Sequence, residues 1–130
     1  MKKFKRVCLV EDDLTSILIS KKYMEISGRV EEVLVYKNGK DAYDGLKEQF
    51  KAGEQIPEII FLDINMPVWD GWEFLEEFLK LPVKESVKVY ILTSSSLGSD
   101  KEKAEHYGLQ DQFLSKPLDM SKLIKVFDSV

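Results

Sequence analysis

Five short apolar runs, each followed by a segment with helical period, constrain this chain more than any other feature. The runs are "RVCLV", "EEVLVY", "EIIFLDI", "VKVYILT" and "DQFLS". Several are apolar at consecutive rather than alternate positions, the pattern of central parallel strands covered by helices on both faces. Between them, Phe74, Leu75, Phe78 and Leu79 recur at helical spacing after "DG". Met120, Leu123, Ile124 and Phe127 do so after Asp119, a capping residue. Leu14, Ile17, Leu18 and Met24 form a looser stripe that Gly28 ends, and Ala42, Tyr43, Leu46 and Phe50 form another after "NG". The fourth segment, "SDKEKAEHYG", offers only Ala104 and Tyr107 to a core, so its helix is expected to be the least anchored. Strict strand–helix alternation implies an α/β chain, a doubly wound (βα)5 parallel sheet in a three-layer sandwich. Sites in such sheets gather at the carboxyl ends of the strands, beside the switch in strand order.

The length of 130 residues is read as one domain, residues 1–130, and 44% hydrophobic with 32% charged residues argues against disorder. A net charge of −4 and scattered Lys and Arg residues speak against a direct nucleic-acid partner, which calls for a basic face. Cys8 and His106 are each alone, which rules out an internal disulfide and a zinc site of histidines and cysteines. No apolar run approaches the ~18 residues of a membrane span and no signal-peptide core opens the chain, so the cytoplasm is the expected compartment. "KAGEQIPE" reads as a surface loop and "TSSSLGSD" as a mobile loop ahead of the weak helix.

Strand ends collect the chemistry. The first strand runs into Glu11, Asp12 and Asp13; the third ends at Asp63, the fourth at Thr93, the fifth at Lys116 before Pro117. Acids on neighbouring strand ends repel one another, and a hard divalent cation relieves that cost. Mg2+ takes oxygen ligands and few protein carboxylates, a set that Asp63 supplies with one or two of the acids at 11 to 13 and a backbone carbonyl from the turn "DINMP". Thr93 adds a hydroxyl donor and Lys116 a cation, so the edge suits a metal together with a phosphoryl group. Taken singly, "EDD" would be a solvated helix cap, Lys116 a surface lysine and Thr93 a strand residue. Their joint placement is the signal.

Across essentially its whole length the chain resembles the response-regulator receiver domain, on "LVEDD", "FLDINMPVWDG", "ILTSSS" and "FLSKP" in the right order. The resemblance implies a flavodoxin-like sheet in the order 2-1-3-4-5 and phosphorylation of Asp63 by a sensor histidine kinase or a histidine phosphotransfer protein. It implies Mg2+, with Mn2+ as a substitute, held by Glu11, Asp12, Asp63 and the carbonyl of Asn65. Thr93 and Lys116 match the family's phosphoryl-contacting hydroxyl and lysine. Phe113 matches the aromatic residue that changes rotamer with Thr93. A cis peptide is expected before Pro117. The output would be a protein partner on the face of the fourth helix, fifth strand and fifth helix; a monomer and a phosphorylation-dependent dimer both stay open, as does whether the chain is a whole protein. Departures are Glu11 in place of the commoner Asp, Trp69 and Trp72 near the site, and a long connection at "KEQFKAGEQIPE". The rival readings are weaker: an aspartyl-nucleophile phosphatase of haloacid dehalogenase type needs a second aspartate where Asn65 stands, and a flavodoxin needs a glycine- and hydroxyl-rich loop where the acids stand. The expectation is therefore a signalling switch that assists its own phosphorylation and dephosphorylation, not an enzyme.

Overall fold

Ile59–Asp63 is buried at every position, as only a strand covered on both faces can be. The computed structural model describes residues 2–83, 86–94 and 98–130. Strand and helix alternate: β1 (Phe4–Val10), α1 (Leu14–Ser27), β2 (Val30–Tyr36), α2 (Gly39–Lys51), β3 (Ile59–Asp63), α3 (Gly71–Phe78), β4 (Lys88–Thr93), α4 (Gly98–His106), β5 (Phe113–Ser115) and α5 (Met120–Ser129). All strand pairs are parallel, in the order β2-β1-β3-β4-β5. The expected doubly wound sheet and its order are the ones observed.

The period of two in the strands sorts side chains onto two cores. Val7, Leu9, Ile59 and Phe61 face α1 and α5, where they meet Ile17, Met24, Leu123 and Phe127. Cys8, Val10, Ile60 and Leu62 face α2 and α3, where they meet Ala42, Leu46, Phe74 and Phe78. Side-chain caps set the helix starts. Asp13, Asn38 and Asp119 accept the N–H groups of Ser16, Asp41 and Lys122 at 2.8, 2.8 and 2.9 Å, and Asp70 forms a reciprocal capping box with Glu73. Gly28 closes α1 at φ 67°, a left-handed position that suits glycine.

Two helical stripes differ from expectation. Leu14 and Leu18 are each 61% exposed, and α1 packs instead through Ile17, Ser20 and Met24. The run "ILI" spreads apolar side chains over about 200° of the helix, more than one face can bury, so hydrophobicity alone did not choose the face. Phe50 at the end of α2 is also exposed, beyond the reach of the sheet. The fourth helix matches the reading: Ala104 is buried in the core, and the half-buried Tyr107 just beyond it stacks on Trp72 with ring centroids 6.0 Å apart. Of the loop "TSSSLGSD", Ser95, Ser96 and Leu97 lie outside the described residues.

Arg29, which sequence reading passed over as one of the scattered cations, is buried at the amino-terminal edge of the sheet. Its guanidinium donates to the carbonyl of Lys2 at 2.7 Å, the carbonyl of Phe127 at 3.1 Å and the carboxylate of Asp128 at 2.7 Å. It also lies 5.6 Å from the Phe127 ring centroid. The last carbonyls of α5 lack intrahelical partners, and the planar fork serves them as a cap. Arg29→Ala should therefore lower stability by about 2–4 kcal/mol in urea unfolding, since it strands buried acceptors. Arg29→Lys should recover little of the loss, because a point charge cannot span the same acceptors.

Candidate functional site

Register brings the strand ends together. Val10 pairs with Leu62, Asp63 with Leu92 and Thr93 with Ser115, so Glu11, Asp63, Thr93 and Lys116 emerge at one edge. The N–H of Glu11 donates to the carbonyl of Tyr36 at 2.9 Å, which carries the β1–β2 ladder one residue past the strand. On the other side the N–H of Lys116 donates to the carbonyl of Thr93 at 2.8 Å, and the Lys116–Pro117 peptide is cis.

Glu11, Asp63 and Thr93 are 1%, 3% and 1% exposed, whereas Asp12 faces solvent. One carboxylate oxygen from each of Glu11, Asp12 and Asp63 lies within 4.8 Å of the others. Lys116 bridges the buried pair, with Nζ 2.6 Å from Glu11 Oε1 and 3.0 Å from Asp63 Oδ2. The second oxygen of Asp63 accepts the N–H of Asn65 at 3.0 Å, and the second oxygen of Glu11 accepts the N–H of Asp13 at 3.3 Å. Asp13 itself caps α1, and its bond from Ser16 holds its carboxyl below the usual range. Sequence alone left one or two of the acids at 11 to 13 beside Asp63. The clustered oxygens belong to Glu11 and Asp12.

Burial, then a hydrogen bond and repulsion from Asp63, push the Glu11 carboxyl up to about 7 against the opposing pull of Lys116. Burial acts to lower the Lys116 ammonium, but hydrogen bonds and attraction to Glu11 and Asp63 outweigh it and raise it. Lys116 thus pairs with the two buried acids, while Asp12 brings a third carboxylate to the group. The donor set is all oxygen, closely grouped and short of positive charge, which fits a hard divalent cation held by carboxylates and water.

Phe113 is half-buried at the start of β5, opposite Ile91 and packed on the α2–α3 core, two residues before the exposed Ser115 and three before Lys116. The two tryptophans of "VWDGW" each pack on an aromatic neighbour. The Trp69 ring lies 5.6 Å from that of Tyr43 on α2, and Trp72 meets Tyr107. Sequence reading also took "DG" for no more than a helix start. Gly71 donates its N–H to the carbonyl of Ile64 at 3.2 Å, and a Cβ there would fall 2.6 Å from Ile64 Cα. Only glycine lets α3 begin this close to the loop after Asp63. That signal is a close approach, which sequence does not display.

Comparison with known proteins shows relatives in both sequence and fold. The sequence profile of the response regulator receiver domain matches residues 7–128. The chain is 33% identical to a two-component response regulator from Cytophaga hutchinsonii, whose crystal structure superposes with a TM-score of 0.88 over 98% of this chain and 97% of that one. It is 28% identical to protein PilH of Pseudomonas aeruginosa over 96% of each chain. It also resembles the Mn(2+)-bound form of response regulator Rcp1, at 26% identity and a TM-score of 0.73, over 96% of this chain and 90% of that one.

The raised Glu11 carboxyl makes a signed prediction. Between its ordinary value of 4.5 and about 7 the folded chain holds a proton that the unfolded chain has lost. That contribution to stability is complete below the lower value and disappears as pH rises through the upper one. Metal-free protein should therefore lose melting temperature between about pH 5 and about pH 8 relative to Glu11→Gln, in scanning calorimetry. Mg2+ affinity measured by titration calorimetry should rise over the same interval, since a cation on Glu11 must displace the proton.

Proposed function

This chain belongs to the response regulator receiver domain family of two-component signalling, and from that premise we propose that it is a phosphorylation-dependent switch whose acceptor is Asp63. The observation that carries the reading is the buried Asp63 carboxylate, bonded to Lys116 and grouped with Glu11 and Asp12. A phosphohistidine on a sensor histidine kinase or a histidine phosphotransfer protein is the donor. An oxygen of Asp63 attacks the phosphorus in line, the phosphorus–nitrogen bond breaks, and the departing imidazole nitrogen takes up a proton. The product is an acyl phosphate on the Asp63 side chain.

Glu11, Asp12, Asp63 and the Asn65 carbonyl would hold Mg2+, with Mn2+ as a substitute in view of the metal-bound relative. When bound, the ion would offset negative charge on the transferring group. Lys116 is already placed between Glu11 and Asp63, and it exchanges carboxylate oxygens for a phosphoryl oxygen. Thr93, buried on the neighbouring strand end, supplies a hydroxyl to the same group. Most of the acceleration comes from position and charge, because phosphoryl transfer asks for little covalent help.

The acyl phosphate carries about two negative charges where the Asp63 carboxylate carried one, a net gain of about one, and it presents new phosphoryl oxygens at this edge. Drawing Thr93 and Lys116 toward them shifts Phe113 and α4, which among its described residues enters the core through Ala104, and so reshapes the α4-β5-α5 face for a protein partner. The phosphatase reading has no support in the family match, and Asn65 stands where its general acid is needed.

Incubation with acetyl phosphate and Mg2+ should give a single acid-stable, base-labile phosphoryl adduct on Asp63, seen by intact mass and peptide mapping, and Asp63→Asn should give none. Labelling at Ser94, Ser95 or Ser96 instead would overturn the reading. Lys116→Ala should still bind Mg2+ and accept phosphoryl slowly. Unlike wild type, it should show no change in amide exchange across residues 94–113 when beryllium fluoride is added. Equal changes in both proteins would remove Lys116 from the coupling.

A further inference from the structure

The loop between β3 and α3 contains a costly turn. Val68 and Trp69 have φ of 46° and 64°, two successive non-glycine residues in the left-handed region, one of them β-branched. The Cβ of such a residue crowds its own backbone, so the conformation persists only where surrounding contacts impose it. Those contacts come from α2. The carbonyl of Trp69 accepts the N–H of Gly39 at 3.1 Å, and that of Val68 accepts the N–H of Lys40 at 3.4 Å. First-turn N–H groups have no acceptor within their helix, so the loop completes the cap that Asn38 begins. The indole sits on the same turn, beside Tyr43 and 5.3 Å from Lys40 Nζ. Gly39 makes this seat possible, since a Cβ there would lie 2.6 Å from the Trp69 carbonyl oxygen.

At its other end the loop is tied by Gly71 to Ile64, and Asn65 gives its N–H to Asp63. Met66 buries its side chain in the core, which fixes the depth of the loop. Its orientation depends on the hydrogen bonds at the two ends.

We propose that Trp69 is a positioning residue: seated on the first turn of α2 against Gly39, it orients the β3–α3 loop so that Asn65 presents its carbonyl to the cation and its N–H to Asp63. This rests on the metal reading given above for Glu11, Asp12, Asp63 and Asn65. It adds a residue that touches neither metal nor phosphoryl group, and it makes the start of α2 part of the site's support. The strained turn is the cost of bringing the loop to α2 in that orientation.

Titration calorimetry with Mg2+ on the full chain tests it, at a temperature where every variant is folded by circular dichroism. Trp69→Ala and Gly39→Ala should each weaken Mg2+ binding about tenfold, the scale of lost outer support at a metal site. Trp69→Phe, which keeps a ring against Tyr43 and Lys40, should stay near wild type. Val68→Gly should raise the melting temperature without changing affinity, because glycine accepts the left-handed turn. Arg29→Ala destabilises the opposite edge and should leave Mg2+ affinity unchanged. Wild-type affinity in both Trp69→Ala and Gly39→Ala overturns the proposal, as does an equal loss in Arg29→Ala, which would make the effect one of general stability. A wild-type chain that takes up no Mg2+ fails at the earlier step and removes the metal reading together with this one.

Discussion

Two carboxylates share one lysine at the carboxyl edge of the sheet, and the rest of the molecule is arranged around that imbalance. Glu11 and Asp63 are buried by the strands that carry them, and Lys116 reaches both from a third strand end. Removing charge from water is expensive unless it is paired, and here the pairing is incomplete. The longer arm of Glu11 matters in this respect. It reaches back to Lys116 at 2.6 Å while its other oxygen takes the N–H of Asp13, so the side chain is held although its charge is poorly compensated. The cluster is stable enough to fold and remains attractive to a cation.

Much of this was legible in the chain before any coordinates, for a physical reason. Strands buried on both faces must be apolar throughout, so a charged residue at the end of such a run stands out, and parallel topology puts all those ends on one edge. Glu11, Asp63, Thr93 and Lys116 could be placed by that rule alone. The assignment of Asn65, Phe113 and the strand order, and the choice of Glu11 and Asp12 among the acids at 11 to 13, came instead from likeness to a family. The strand-end rule left that choice open, because capping and ligation ask for the same residue type, and the structure adds that Asp13 is spent on Ser16.

What stayed hidden depends on contacts between distant segments. Arg29 looks like any surface cation in sequence, yet it closes the end of α5 nearly a hundred residues later. Gly39 and Gly71 look like ordinary turn glycines, yet each is fixed by a backbone that passes too close for a Cβ. The face of α1 was misread because Ile17, Leu18 and Ile19 are equally greasy, and the choice among them is made by the shape of the sheet beneath.

The helices nearest β4 and β5 on the two faces of the sheet are anchored differently. On the α1–α5 side Phe4, Phe61, Tyr90 and Phe127 interlock, with ring centroids 5.3 to 6.5 Å apart, and α5 contributes Leu123 and Val126 to the same mass. On the other side, next to β4 and β5, the described part of α4 enters the core through Ala104, and beyond it Tyr107 lies against Trp72. The tips of β3 and β4 therefore stand between a helix held by several interlocked side chains and one whose described part is held by a single alanine, so the packing at the two flanks of this edge is unequal.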